Sequence, residues 1–314
     1  MSTIRIIPRL DIKGPNLVKG VHLEGLRVLG KPERFARFYY ENGCDELIYM
    51  DVVASLYGRN SLLDIVERTS REIFIPLTVG GGIRTIEDIR KILQAGADKV
   101  SLNTAAIQQP TLISEAANRF GSSTIVVSIE AKKQPGGVYE AYTDNGRIRT
   151  GVNVFEWAAQ VQTLGAGEIL LTAIDQEGTG EGFDIELTRR VAESVSIPVI
   201  ACGGAGKTED IAEVIEQGKA DAVSLASLLH YTYIRSHYTE DDYSSEGNVE
   251  FLRGRRSFTK VQDASLARIK EHLVENGISC RILEGKNGDE QSGTPQSCHR
   301  RLRHGQPVQR QTRL

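Results

Sequence analysis

The strongest constraint on the fold is that the chain repeats itself. GCDELIYMDVV from Gly43 is echoed by GAGEILLTAID from Gly165, so that Glu46 falls on Glu168 with an apolar run after each. FIPLTVGGGI from Phe74 is echoed by SIPVIACGGAG from Ser196, and AGADKVSLN from Ala95 by GKADAVSLA from Gly218. The first run, IIPRLDIK, pairs with IVVSIEAK, which sets Asp11 over Glu130. Four signatures recur in one order. Each half alone would leave the inner face of its sheet open, so the two halves must close on each other.

The runs between these signatures say what is being repeated. Eight short segments rich in Ile and Val read as strands: Arg5–Leu10, Glu46–Asp51, Ile75–Val79, Lys99–Leu102, Thr124–Ile129, Glu168–Thr172, Pro198–Ala201 and Ala222–Ser224. Most are apolar throughout, as parallel strands covered on both faces should be. Helical periodicity lies between them: Pro32–Glu41, Leu62–Thr69, Ile86–Gln94, Thr111–Arg119, Val154–Leu164, Ile185–Ser194, Ile211–Gln217 and Ala264–Glu275. Several close on a glycine, at 43, 96, 121, 165, 218 and 277, where a helix stop is expected. The expectation is an α/β fold, a (β/α)8 TIM barrel of two similar half-barrels. An open doubly wound sheet is the alternative, and the repeat argues against it.

Charge and cysteine content exclude several classes of function. The chain has 38 Lys and Arg against 41 Asp and Glu, a net −3, which offers no overall grip on nucleic acid. No apolar run approaches the length of a membrane span, and the first residues lack an apolar signal core. The four cysteines at 44, 202, 280 and 298 form no CxxC, which fits a reducing, cytoplasmic setting. No histidine spacing recommends a metal. Neither GxGxxG after a strand nor GxxxxGK[ST] is present. No cofactor is expected. The stretch 291–314 carries five arginines and no acid. The segment 284–314 reads as a basic, disordered tail behind a barrel of residues 1–283. Segment 232–263, with TEDDYSSEGN and FLRGRRSF, reads as a loop inserted before the last helix, where Arg253, Arg255 and Arg256 can meet the acidic run.

In such barrels chemistry sits at the carboxyl ends of the strands. The paired glycine runs, Gly81-Gly82 and Gly203-Gly204, let backbone N–H groups approach an anion closely. Beside them the strand ends Ser101-Leu102-Asn103-Thr104 and Ser224-Leu225-Ala226-Ser227 add small donors and lead towards helix N-termini. One such run would make only a tight turn. Two copies at equivalent places point to two phosphate sites on opposite sides of the mouth, and to a ligand with a phosphate at each end. Asp11 and Glu130 end the first and fifth strands, which face each other across an eight-stranded barrel, as acid and base work on two faces of a ligand requires. Asp175, Glu177 and Gly178 place an acidic turn near the sixth strand, and Lys19 in the first long loop can cover the site or meet a phosphate. On the opposite face Arg5, Glu46, Lys99 and Glu168 start four strands. By spacing alone they read as ion pairs that stabilise the barrel floor.

RIIPRLDIK, LTVGGGIR, GADKVSLNTAA, GAGEILLT, DQEGTGEGFD and SIPVIACGGAGK together resemble the cyclase subunit of imidazole glycerol phosphate synthase, from about Thr3 to Tyr231 and again over Ala264–Arg281. The resemblance implies a lyase of histidine biosynthesis. It would condense ammonia from a glutaminase subunit with the bisphosphate PRFAR, giving imidazole glycerol phosphate and AICAR. It implies that Asp11 is catalytic, that Arg5, Glu46, Lys99 and Glu168 gate ammonia at the floor, and that Asp98 docks the glutaminase there. Three positions depart from the family. Glu130 and Glu177 stand where aspartate is expected, and Arg9 where a small residue precedes Leu-Asp. A carboxylate displaced by about an ångström can cost ~10²-fold in rate. Two other readings therefore stay open: delivery of ammonia in a sugar-amidation system, and a non-catalytic activator of the glutaminase.

Overall fold

A computed structural model describes residues 3–54, 62–237 and 260–283. The inserted acidic run, Arg253, Arg255, Arg256 and the tail from 284 on lie outside the described residues. Up to Ile282 the chain forms one unit, and a second begins at Leu283.

The first half-barrel comprises β1 (Arg5–Lys13), β2 (Asn16–Val21), β3 (Glu24–Gly30), α1 (Pro32–Glu41), β4 (Leu47–Asp51), α2 (Leu63–Ser70), β5 (Leu77–Gly80), α3 (Ile86–Gln94), β6 (Lys99–Leu102), α4 (Thr104–Gln108) and α5 (Thr111–Phe120). The second repeats that order: β7 (Ile125–Lys133), β8 (Tyr139–Thr143), β9 (Ile148–Asn153), α6 (Val154–Thr163), β10 (Glu168–Ala173), α7 (Ile185–Ser194), β11 (Val199–Cys202), α8 (Thr208–Glu216), β12 (Ala222–Leu225), α9 (Ser227–Ser236) and α10 (Leu266–Glu275). Strands β1, β4, β5, β6, β7, β10, β11 and β12 pair in parallel around a closed ring, with β10 on β7 and β12 on β1 completing it. The fold is a (β/α)8 barrel, with β1 and β7 on opposite sides.

Each half opens with a nine-residue strand that turns back into an antiparallel hairpin, β2–β3 after β1 and β8–β9 after β7. The sequence reading had neither hairpin. Lys19, expected in a loop, lies on β2 and is 2% exposed. Asp11 and Glu130 do not end their strands, which run on to Lys13 and Lys133. The signal for the second hairpin was Asp144-Asn145-Gly146, three consecutive residues with positive φ, the turn chemistry that reverses a strand. The first hairpin turns at His22-Leu23 (φ +51° and +64°), and Leu23 does not advertise a left-handed turn.

Alternation along each barrel strand separates two cores. Ile6, Leu10 and Ile12 face the helices together with the apolar helix residues. Ile7 faces the lumen, where it meets Ile48, Met50, Val126, Leu170, Ile200 and Ala222. The floor carries a recurrent clamp. The Asp45, Asp98 and Asp221 carboxylates accept the backbone N–H of Ile6, Leu77 and Val199 at 2.8, 2.9 and 2.9 Å. Their own N–H groups donate back to the same residues' carbonyls. Gly167 takes the fourth equivalent place. These are the Asp and Gly of GCDE, GADK, KADA and GAGE, so part of what the repeat conserves within the chain is strand-to-strand stitching.

Candidate active site

The lumen is built in layers because residues i, i+2 and i+4 of each strand share one face. At the floor Arg5 Nη1 donates to Glu46 Oε1 at 2.6 Å and to Glu168 Oε1 at 3.0 Å. Lys99 Nζ donates to Glu46 Oε2 and Glu168 Oε1, both at 3.1 Å. Two cations and two anions thus close a square across four strands, with every side pairing opposite charges. Above it lies the apolar layer of Ile7, Ile48, Val126, Leu170, Ile200 and Ala222. Above that the lumen turns polar.

Arg9, two residues beyond Ile7, is 2% exposed. Its Nε donates to Asp11 Oδ1 at 2.8 Å, and its Nη1 to Thr172 Oγ1 on β10 at 3.2 Å, with Cys202 Sγ on β11 at 3.6 Å. Burial works against its charge, yet Asp11, Cys202 and Glu177 more than offset this and hold the guanidinium well above its ordinary pKa. Lys19 pairs with Glu177, both buried. Burial opposes the ammonium as well, and Glu177 and Asp11 outweigh it, so its pKa is raised.

Glu130 faces this group from β7. Its Oε2 accepts the Gly146 N–H at 2.7 Å, so the β8–β9 turn fixes its carboxyl. Burial pushes the pKa up to about 7, with Asp11 adding to the rise and Arg9 and the Gly146 N–H opposing it. A carboxyl poised near neutrality is suited to giving and taking protons.

The first glycine run lines a cavity of about 240 Å³ together with Asn103, Thr104 and Glu130. Gly81 has φ +96°, and a Cβ there would sit 2.2 Å from the Asp51 carbonyl oxygen. Arg84, the last residue of GGGIR, lines the same cavity and was not singled out from the sequence, although it belongs to the motif. The buried Ser101 Oγ and Asn103 Oδ1 have no hydrogen-bond partner within the protein, nor has Ser224 Oγ on the equivalent strand β12. The second run is more enclosed. Gly203 and Gly204 are buried, and Cβ atoms there would come 2.9 Å from the Ala173 oxygen and 1.9 Å from the Gly182 oxygen. Ala226 precedes α9, whose first residue is Ser227.

The remaining expected residues have structural partners. Asp175 Oδ2 accepts the Lys133 N–H at 2.9 Å, tying the turn after β10 to the end of β7. Gly178 (φ +76°) packs that turn on the Gly20 carbonyl, 2.7 Å from where a Cβ would sit. Asp98 makes the floor clamp described above. It also lines a surface recess with Phe74, which is 80% exposed.

Comparison with known proteins bears on this arrangement. Residues 5–235 match the family described as histidine biosynthesis protein. The imidazole glycerol phosphate synthase subunit HisF of Legionella pneumophila is 61% identical over 210 residues, which cover 67% of this chain and 99% of that protein. The chain belongs to the HisF family. The HisF subunit of Alkaliphilus metalliredigens (strain QYMF) is 48% identical over 234 residues, 74% of this chain and 93% of that protein. No described helix is long and apolar enough to cross a membrane.

Proposed function

We propose that this HisF-family chain is the ammonia-dependent cyclase of histidine biosynthesis, a lyase converting PRFAR to imidazole glycerol phosphate and AICAR. The observation that carries the reading is the ordering along the lumen. An ion-pair square lies at one end, an apolar sleeve follows, and two carboxyls on opposite strands stand beside a glycine cradle at the other. Neutral ammonia suits the sleeve, since an ion would be strongly disfavoured there. Asp11 and Glu130 handle protons during imine formation, ring closure and cleavage. Gly81, Gly82, Asn103 and Thr104 hold one phosphate, and Gly203, Gly204, Ala226 and Ser227 the other. Lys19, Asp175, Glu177 and Gly178 form the wall between them. Fixing a ligand at both ends supplies orientation, worth ~7–11 kcal/mol in favourable cases.

A glutaminase subunit on the floor face, near Asp98 and Phe74, completes this reading, as does a cytoplasmic setting. The direct test is steady-state turnover of the purified chain with PRFAR and excess ammonium salt, with no partner added. AICAR and imidazole glycerol phosphate are expected. No product with the substrate still bound would remove the reading.

The square has its own test. Lys99→Ala leaves Glu46 and Glu168 sharing Arg5 alone, and opens one corner of the floor. With the glutaminase present, glutamine hydrolysis is expected to continue while the fraction of ammonia reaching cyclisation falls several-fold. Unchanged product per glutamine would count against a gate. Arg9 favours a second reading, in which the same ammonia route serves a different acceptor such as a sugar, because its guanidinium occupies lumen space next to Asp11. Turnover with PRFAR separates the two.

A further inference from the structure

Arg9 takes no part in the cyclase reading, yet its side chain contacts three strands of the lumen. It starts on β1 and bonds to β10 and β11. Around the ring β10 lies three strands from β1, so the side chain crosses the interior. Its backbone is fixed too. His230 Nε2 lies 2.9 Å from the Arg9 carbonyl oxygen and Nδ1 lies 2.7 Å from Tyr39 Oη. Burial pushes this imidazole down to about 3. The ring is therefore neutral at pH 7, with Nε2–H donating to Arg9 and Nδ1 accepting from Tyr39. A side chain held at both ends in this way has one place to put its charge.

Charged and titratable groups face Glu130 and Asp11 from several elements. Lys19 on β2, Glu177 on the turn after β10 and Cys202 on β11 surround the Arg9–Asp11 pair, and Asp51 at the end of β4, Arg84 after β5 and Asp144 in the β8–β9 turn line the cavity with Glu130. Lys19 and Glu177 satisfy each other. Arg9 acts on both carboxyls, Asp11 and Glu130, and its guanidinium bonds to Asp11. Guanidinium has donors only and cannot give up its proton in a protein, so Asp11 Oδ1 must accept from it.

Resting on the cyclase reading, we propose that Arg9 is a positioning residue for the carboxyl pair: anchored on Thr172 and Cys202, it fixes Asp11 as the proton acceptor and leaves Glu130 as the proton donor. Burial raises the Glu130 pKa to about 7 against the opposing charge of Arg9, so this carboxyl still holds a proton near neutrality. Two carboxyls with unequal surroundings divide acid and base work in this way. The arrangement also gives a place to the longer Glu130 side chain, whose carboxyl is held by the β8–β9 turn.

The test is the pH dependence of ammonium-driven turnover, measured at constant free ammonia so that its own titration does not enter. Wild-type activity should fall as pH rises through about 7, because the raised Glu130 carboxyl loses its proton there. In Arg9→Gln the nearby cation is gone and the pair holds its proton more tightly, so this limb should move up by about one pH unit. Thr172→Val, which removes only the far anchor, should move it the same way by less, and it serves if Arg9→Gln does not fold. A merely structural role would lower the rate at every pH and leave the limb in place; that result in a folded variant overturns the proposal. Carbon-13 NMR of the Glu130 carboxyl, titrated without substrate in wild type and variants, gives the same decision independently of turnover. Failure of wild type to use PRFAR would thus remove the cyclase reading, while an unmoved Glu130 titration would remove the role of Arg9.

Discussion

Asp11→Asn is expected to abolish turnover while PRFAR still binds within a few-fold of wild type. The substitution keeps the shape of the side chain and one carbonyl oxygen, which can still accept from Arg9 Nε, now at 2.8 Å from Asp11 Oδ1. It removes the only basic site facing the ligand from β1. Loss of a positioned acid or base costs ~10²–10⁴-fold in rate. The proposed phosphate cradles follow other strands, β5, β6, β11 and β12. Affinity measured calorimetrically should therefore separate from kcat. The charge change has a structural cost, since the buried Arg9 would lose its bonded carboxylate. A thermal melt is the control, and some lowering of Tm is expected. A folded Asp11→Asn enzyme running near the wild-type rate would dismiss Asp11 as a proton-transfer group.

How much of this was open to inspection in the sequence depended on how local the signal was. The eight barrel strands and the helices between them follow apolar periodicity, which is a local property, and they appear where that periodicity places them, with ends shifted by a residue or a few. The helix expected from Ile211 starts at Thr208, because Asp210 accepts the Gly206 and Lys207 N–H groups and begins the turn early. After that helix Lys219 (φ +59°), not Gly218, takes the left-handed conformation. The hairpins were missed for a different reason. NLVKGV and YEAYT are short, and they gain strand structure from pairing with the extended ends of β1 and β7.

The candidate site was legible through the repeat, which set the glycine runs and the carboxyls of one half over those of the other. What the repeat could not show is contact between halves. Arg9 meets Thr172 and Cys202 from 163 and 193 residues away, and Lys19 meets Glu177 from 158. Nothing in the spacing predicts these pairings. The floor square belongs to the same class: spacing placed four charges on one face, and only closure of the ring makes every neighbour opposite in sign.

Gly81→Ala is expected to raise the KM for PRFAR by about two orders of magnitude, because the cradle cannot keep its shape around a Cβ. The clash is with backbone: the added atom would sit 2.2 Å from the Asp51 oxygen and 2.8 Å from the Asp51 nitrogen. No rotamer change relieves it, so the loop after β5 must move. Its φ of +96° adds strain for any residue with a side chain. A hydrogen bond to a charged group is worth ~1.5–3 kcal/mol. Losing one or two backbone donors to a phosphate therefore removes about 3 kcal/mol, or ~10²-fold in affinity. Gly25→Ala separates this from general backbone strain, since Gly25 also has a positive φ (+63°) but nothing within 4 Å of a Cβ. It should show a small loss of stability and no large change in KM. If folded Gly81→Ala bound PRFAR as tightly as wild type, the glycines after β5 would make a turn and no more, and the ligand would have to be held from the other side of the mouth.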